Sequence, residues 1–198
     1  MKTWITADLH LGENRFELMG RPFNDQQEMV LKLALEHNQL VNPDDLVIVN
    51  GDVCYQKTPE YLKYVSRFNG KKILIRGNHD RVFTDDELKP YFDEIIPEGS
   101  GRYYTVNDIK CYITHYPTCG VADAFNLVGH IHSAFKYQLN MLNIGIDVHN
   151  FKPVDMDKIP FHFKAICEFY DQDVWVAYNN VNSQFVGKRG KQTSYFTP

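Results

Sequence analysis

Paired cysteines are missing from this chain: Cys54, Cys111, Cys119 and Cys167 are scattered, with no C-x-x-C spacing. A disulfide framework or a thiolate zinc site is therefore not expected, and each cysteine reads as a small core residue. A reducing cytoplasm is the expected location. Long apolar runs are missing too, so no segment is expected to cross a bilayer. The opening "MKTWITADLH" has the pattern of a strand and not of a secretory signal. There is no basic excess; the formal net charge is −4. That argues against a general nucleic-acid coat protein, but not against an enzyme holding its substrate locally. Repeats, low-complexity tracts and linkers are absent, so a single domain is expected over residues 1–198. Its core would span about 1–170, ahead of a C-terminal strand and a loosely held tail.

What is present is an ordinary apolar fraction of 43% and a generous aromatic share of 14%, distributed as short runs between amphipathic segments. "TWITA" (3–7), "LVIVN" (46–50) and "KILIR" (72–76) read as strands apolar on both faces, suited to a helix-covered sheet. Between the first two, Val30, Leu33, Ala34, His37 and Val41 recur at helical spacing. Between the second and third, Thr58-Pro59 is a helix start and Gly70 a stop. The order β-α-β-α-β predicts parallel strands. After residue 100, "RYYTVN", "KCYITH", "FNLVGH", "AFKYQLN" and "MLNIGIDV" predict a second, mostly antiparallel or mixed sheet. Thr84 to Glu87 has the form of a capping box, and a last helix is expected from about Asp155 to Tyr170, restarted at Pro160. "VWVAY" beyond Asp171 is a strand candidate, and "GKRGK" a solvated basic cluster.

Five of the apolar runs close on polar residues able to bind a metal. These are Asp8 and His10; Gly51-Asp52; Gly77-Asn78-His79-Asp80; His115; and Gly129-His130 with His132. In a parallel sheet such ends share one edge, where ligands bind. A lone histidine after a strand is usually structural. Five of them with three aspartates and an asparagine would be costly to desolvate unless divalent cations balanced them. Carboxylate, amide and imidazole donors suit manganese, iron, zinc or nickel. The set is too large for one tetrahedral ion and about right for two, a known clamp for displacement at phosphorus.

At these residues the chain resembles the calcineurin-like metallophosphoesterase superfamily, whose blocks run D-x-H, G-D, G-N-H-[DE], H and G-H-x-H. Here they are Asp8-Leu9-His10, Gly51-Asp52, Gly77-Asn78-His79-Asp80, His115 and Gly129-His130-Ile131-His132, in the family's order. Asn14, Arg21-Pro22-Phe23 and "NIGIDVHNFKP" (143–153) are similar to small single-domain bacterial and phage-type members. The resemblance implies an α/β fold, a four-layer α/β-β/α sandwich of two mixed β-sheets (metallo-dependent phosphatase-like). It implies two divalent ions, manganese first, with iron, zinc or nickel as alternatives. Asp8, His10 and His132 would hold one ion and Asn78, His115 and His130 the other, with Asp52 bridging. A hydroxide shared by the ions would attack phosphorus while His79 protonates the leaving oxygen. Asp80 would orient His79 or cap the next turn.

Many phosphatase members carry an arginine soon after G-D, whereas this chain reads "GDVCYQK". Protein-phosphatase activity is thereby disfavoured. Arg21 and Lys57 are candidates for supplying a positive charge to substrate, and Arg21 and Asp80 are candidates either to bind substrate or to support the metal ligands from behind. The expected activity is a phosphoesterase, favouring a phosphodiester or small nucleotide-type substrate. The alternatives are a phosphomonoesterase, a nuclease, or a non-catalytic scaffold of the same fold. Neither a duplex-handling domain nor an apolar lid is evident. His37 reads as a packed or rim histidine, His162 as a surface or packing residue, and His149 as packing or as a lining residue of the site.

Overall fold

A computed structural model describes residues 1–57 and 59–169. "VWVAY", "GKRGK" and the expected cap Thr58 lie outside the described residues.

The chain alternates β1 (Thr3–Thr6), α1 (Phe16–Met19), α2 (Gln26–Asn38), β2 (Leu46–Val49), α3 (Pro59–Leu62) and β3 (Lys71–Ile75). α4 (Asp85–Leu88) and β4 (Glu94–Ile96) complete the first half. β5 (Gly101–Val106), β6 (Ile109–Thr114), β7 (Phe125–Val128), β8 (Tyr137–Gln138), β9 (Met141–Asn143), β10 (Val154–Asp155) and α5 (Ile159–Phe169) follow. One sheet has the order β10-β1-β2-β3-β4, with β1 to β4 parallel and β10 antiparallel at its edge. The other runs β5-β6-β7-β9-β8, with β6, β7 and β9 parallel between antiparallel edges. Two mixed five-stranded sheets with helices make this the α/β fold expected from the sequence.

Local chemistry accounts for the elements. Asp25 caps α2 by accepting from the Glu28 N–H at 2.8 Å. The helix then buries Met29, Val30, Leu33, Ala34 and His37 against β1 and β2. Thr84 and Glu87 form the reciprocal capping box ahead of α4. The expected helix before Gly70 is shorter than its pattern suggests: α3 passes into a 3-10 turn at Lys63–Arg67. A two-residue strand, β10, replaces the expected start of the last helix, which begins at Ile159 with Pro160 in its first turn.

Between the sheets lies one apolar core. Ile5, Ile48 and Ile75 of the first sheet meet Ile113, Leu127 and Leu142 of the second, joined by Ile159 and Ile166 of α5. Full burial of such side chains contributes roughly 1.5–3 kcal/mol each. The registers then set the level of the strand ends. Thr6 lies opposite Val49 and Val49 opposite Leu74; in the second sheet Thr114 lies opposite Val128 and Val128 opposite Asn143. Both sheets therefore release their chains at a common edge.

Candidate metal centre

All five loops that carry the expected ligands leave at that edge, and hydrogen bonds within and across the seam lock them together. The buried Asn50 side chain donates to the Thr114 carbonyl at 2.9 Å, and the Asn50 carbonyl accepts from His115 Nδ1 at 2.8 Å. Asp8 N–H donates to the Gly51 carbonyl and His10 N–H to the Asp52 carbonyl, each at 3.0 Å. From the second sheet, His130 N–H donates to Asp8 Oδ1 at 3.0 Å.

Three groups of donors result. Asp8, His10 and His132 form one; Asp52, His115 and His130 a second; His10, Asp52 and His79 a third, with ligand atoms in each within 4.8 Å of one another. Asp52 is central: its Oδ2 lies 3.3 Å from His115 Nε2 and 3.5 Å from His10 Nε2. Asn78 enters beside His79, whose N–H donates to Asp52 Oδ1 at 2.9 Å. His79 also packs edge-on to His10, with ring centres 4.7 Å apart.

Buried polar atoms here are incompletely satisfied among the described residues: His10 Nδ1, Asn50 Oδ1 and Asn78 Oδ1 have no hydrogen-bond partner, and His10 Nε2 and His115 Nε2 have only long approaches to Asp52. Buried donors and acceptors are normally satisfied, so a converging set of orphans fits a cation. Charge points the same way. Burial pushes the Asp8 carboxyl up to about 7, with the nearby Asp52 charge adding to the effect. At Asp52 burial acts likewise, but the His10 and His115 imidazoles outweigh it and hold that carboxyl far below the usual range. Burial depresses His10 to about 4, whereas at His115 burial is overcome by Asp52 and Asp8, raising it to about 9. A cation would relieve the opposed demands of these groups.

The backbone is strained where the donors sit. Asp8, His10, Asp52, His130 and His132 all have positive φ, between 47° and 75°. Such residues cost of order 1–3 kcal/mol each and cluster at functional sites. Space is equally tight. A Cβ at Gly77 would collide with Asp52 Oδ1 and come within 2.7 Å of His115 Nε2.

Of the two roles open to Arg21 and Asp80, the geometry favours support of the ligand loops. The Arg21 side chain is 0% exposed and forms a two-point pair with Asp147, at 2.7 and 3.1 Å. Its remaining donors meet the carbonyls of Asp8 and Leu9. The Asp80 carboxylate is taken up by backbone N–H groups rather than by the His79 ring. Fully buried, it accepts from the N–H groups of Asp52, Val53 and Gly77 at 2.8–2.9 Å, tying two ligand loops together. Lys57, the other candidate cation, pairs with Glu87 at 2.9 Å. His37 is packed as expected, with Nε2 on the Asn69 carbonyl. His149 bonds the Asn143 carbonyl and His162 the Tyr137 hydroxyl, outside the three donor groups.

Asp147 was not assigned a role from the sequence. It accepts from His132 Nδ1 at 2.8 Å, which leaves His132 Nε2 for the donor group and fixes its tautomer. The Asn50 carbonyl does the same for His115. Asp147 stands out in sequence only as a polar residue within an apolar run, a weak signal.

Comparisons with known proteins place the chain in a family. An uncharacterised protein of Methanocaldococcus jannaschii is 26% identical over 171 residues, spanning 80% of this chain and 89% of its own. The gene 66 protein of Mycobacterium phage L5 is 36% identical over 81 residues, 39% of each chain. A protein of unknown function from Aquifex aeolicus has a similar solved structure. Its TM-score is 0.62 at 19% identity, over 81% of this chain and 98% of that one, a likeness of fold. The sequence model of the calcineurin-like phosphoesterases matches residues 1–178. That match spans nearly the whole chain, which therefore belongs to the calcineurin-like phosphoesterase family, hydrolases of phosphoester bonds.

Proposed function

We propose that this phosphoesterase is a dinuclear enzyme cleaving small phosphodiesters, with a nucleotide-type substrate and manganese as its metal. The observation that carries the reading is the convergence of three donor groups, two of them sharing Asp52, with ligand atoms in each within 4.8 Å of one another. Asp8, His10 and His132 would hold one ion and Asn78, His115 and His130 the other, with Asp52 shared. Bound ions supply positive charge that acidifies water and polarises phosphoryl oxygens.

The remaining work falls to the chain. Asp147 and the Asn50 carbonyl keep His132 and His115 in the tautomers that present Nε2. His79, partly exposed and edge-on to His10, donates a proton to the departing oxygen. Preference for a diester is read from the pairing of the nearby cations: Arg21 is buried and paired with Asp147, Lys57 is held by Glu87, and Arg15 is already half engaged by Glu13. The singly charged diester asks for less compensation than a monoester dianion. Cys111 and Cys119 are free thiols, as a cytoplasmic setting allows.

The test is turnover of bis-p-nitrophenyl phosphate and p-nitrophenyl phosphate by protein stripped of metal and reloaded with manganese, iron, zinc or nickel. Manganese is expected to restore the highest activity, favouring the diester, and Asp52→Ala to abolish it. Failure to cleave either ester with any of these metals overturns the proposal.

A further inference from the structure

One arginine beside the centre has no task in the hydrolysis described above. A cleft of about 260 Å³ is lined by Arg15, Leu18 and Met19 from the α1 segment and by His10, His79 and His132. Arg15 is the one lysine or arginine among its lining residues. It is unusually well held. Glu13, 0% exposed, accepts through Oε1 from the N–H groups of Asn14 and Arg15 and from Arg15 Nε, all at 2.8–2.9 Å. Its Oε2 accepts from Arg15 Nη2 at 2.7 Å. The guanidinium carbon sits 4.5 Å from the centre of the Tyr55 ring, which is itself 5.3 Å from the His79 ring.

A surface arginine that is merely solvated needs neither a buried counter-charge nor an aromatic seat. Here both immobilise the fork, which removes the rotamer entropy that binding would otherwise cost. The Nε/Nη2 edge faces Glu13, so the Nη1/Nη2 edge remains for a second anion, and half of the side chain is exposed to receive it. Tyr55 is covered by the guanidinium, whereas Leu18, 77% exposed, offers an apolar wall beside it. The arrangement suits an anion joined to a flat or apolar body.

We infer that Arg15 determines specificity by binding a terminal phosphate on the departing part of the substrate, making a short phosphorylated oligonucleotide the preferred phosphodiester. The inference rests on the proposed hydrolysis, because His79, which serves the departing oxygen, lies on the Arg15–Tyr55 side of the cleft. Water adds across the scissile bond: phosphorus keeps the hydroxyl, and the leaving oxygen takes the proton. Arg15 makes and breaks no bond.

The experiment compares the dinucleotide ApA with its phosphorylated forms pApA and ApAp on wild type, Arg15→Gln and Arg15→Lys, all loaded with manganese. In wild type one phosphorylated form is expected to exceed ApA in kcat/KM by roughly tenfold or more, the scale of one charge-assisted contact. Arg15→Gln should collapse that ratio through KM, with Arg15→Lys in between because an ammonium lacks the fork. A second readout needs no turnover: calorimetric binding of adenosine 3′,5′-bisphosphate against adenosine 5′-monophosphate, with and without manganese. The bisphosphate should bind more tightly to wild type, and that advantage should shrink severalfold in Arg15→Gln. If wild type cleaves dinucleotides yet both ratios are unmoved by Arg15→Gln, the inference is wrong. If wild type cleaves none of them, the nucleotide-type reading of the proposed function fails, and the calorimetric ratio alone decides the role of Arg15.

Discussion

An imidazole binds a cation through only one nitrogen at a time, and at His132 the choice is made by Asp147. Asp147 is in turn pinned by Arg21, a pair almost wholly removed from solvent. Asp147→Asn should loosen metal binding about 10–100-fold. It should also destabilise the fold by about 3–5 kcal/mol, since Arg21 is left as a buried, uncompensated charge. Chelator competition and urea unfolding measure the two effects; unchanged metal affinity would remove Asp147 from the centre's support. Little of this was legible in advance. Asp8, His10, Asp52, His79 and the other donors advertise themselves because each follows an apolar run or a glycine. The Arg21–Asp147 pair spans 126 positions, and Asp80 acts on backbone N–H groups that no residue type announces.

Elements matter here chiefly through where they stop. Because β1, β2 and β3 end nearly level, and β6, β7 and β9 likewise, short loops suffice to bring their first polar residues together. Gly77 lets the loop after β3 pass against Asp52 and His115. Gly77→Ala should therefore displace Asp52 and depress manganese affinity, while the β3 strand itself, ending at Ile75, keeps its pairing. Metal titration beside circular dichroism separates the two, and full affinity in the variant would show that the close approach is dispensable. The parallel β1-β2-β3 frame was readable because its apolar runs are long and the intervening helix is periodic. β4 and β10 were not: one is three residues with a partly exposed face, the other two residues, and each is recruited by a neighbouring strand. Left-handed backbone at five donor residues also has no sequence signature, since none of them is glycine.

For the molecule as a whole, acid stability is set partly by histidines far from the metal edge. His37, a buried residue of α2, stands edge-on to Phe68, and burial lowers its pKa to about 4. Above about pH 6.5 it is neutral whether folded or unfolded and contributes no pH dependence. Between pH 6.5 and 4 the unfolded chain takes up the proton first, so stability falls as pH falls, by up to roughly 3 kcal/mol. His37→Gln, which keeps a donor for the Asn69 carbonyl, should flatten that part of the profile in urea unfolding between pH 7 and 4.5. An unaltered slope would assign the acid sensitivity to other groups.

The whole account turns on cations lying at the seam between the two sheets. Its most direct measurement is a crystal structure of the manganese-loaded protein with anomalous data collected at the manganese edge. Two anomalous peaks are expected, one among Asp8, His10 and His132 and one among Asn78, His115 and His130, both touching Asp52. Density at that seam without any manganese peak, with Asp52 bonded only to its neighbouring imidazoles, would contradict it.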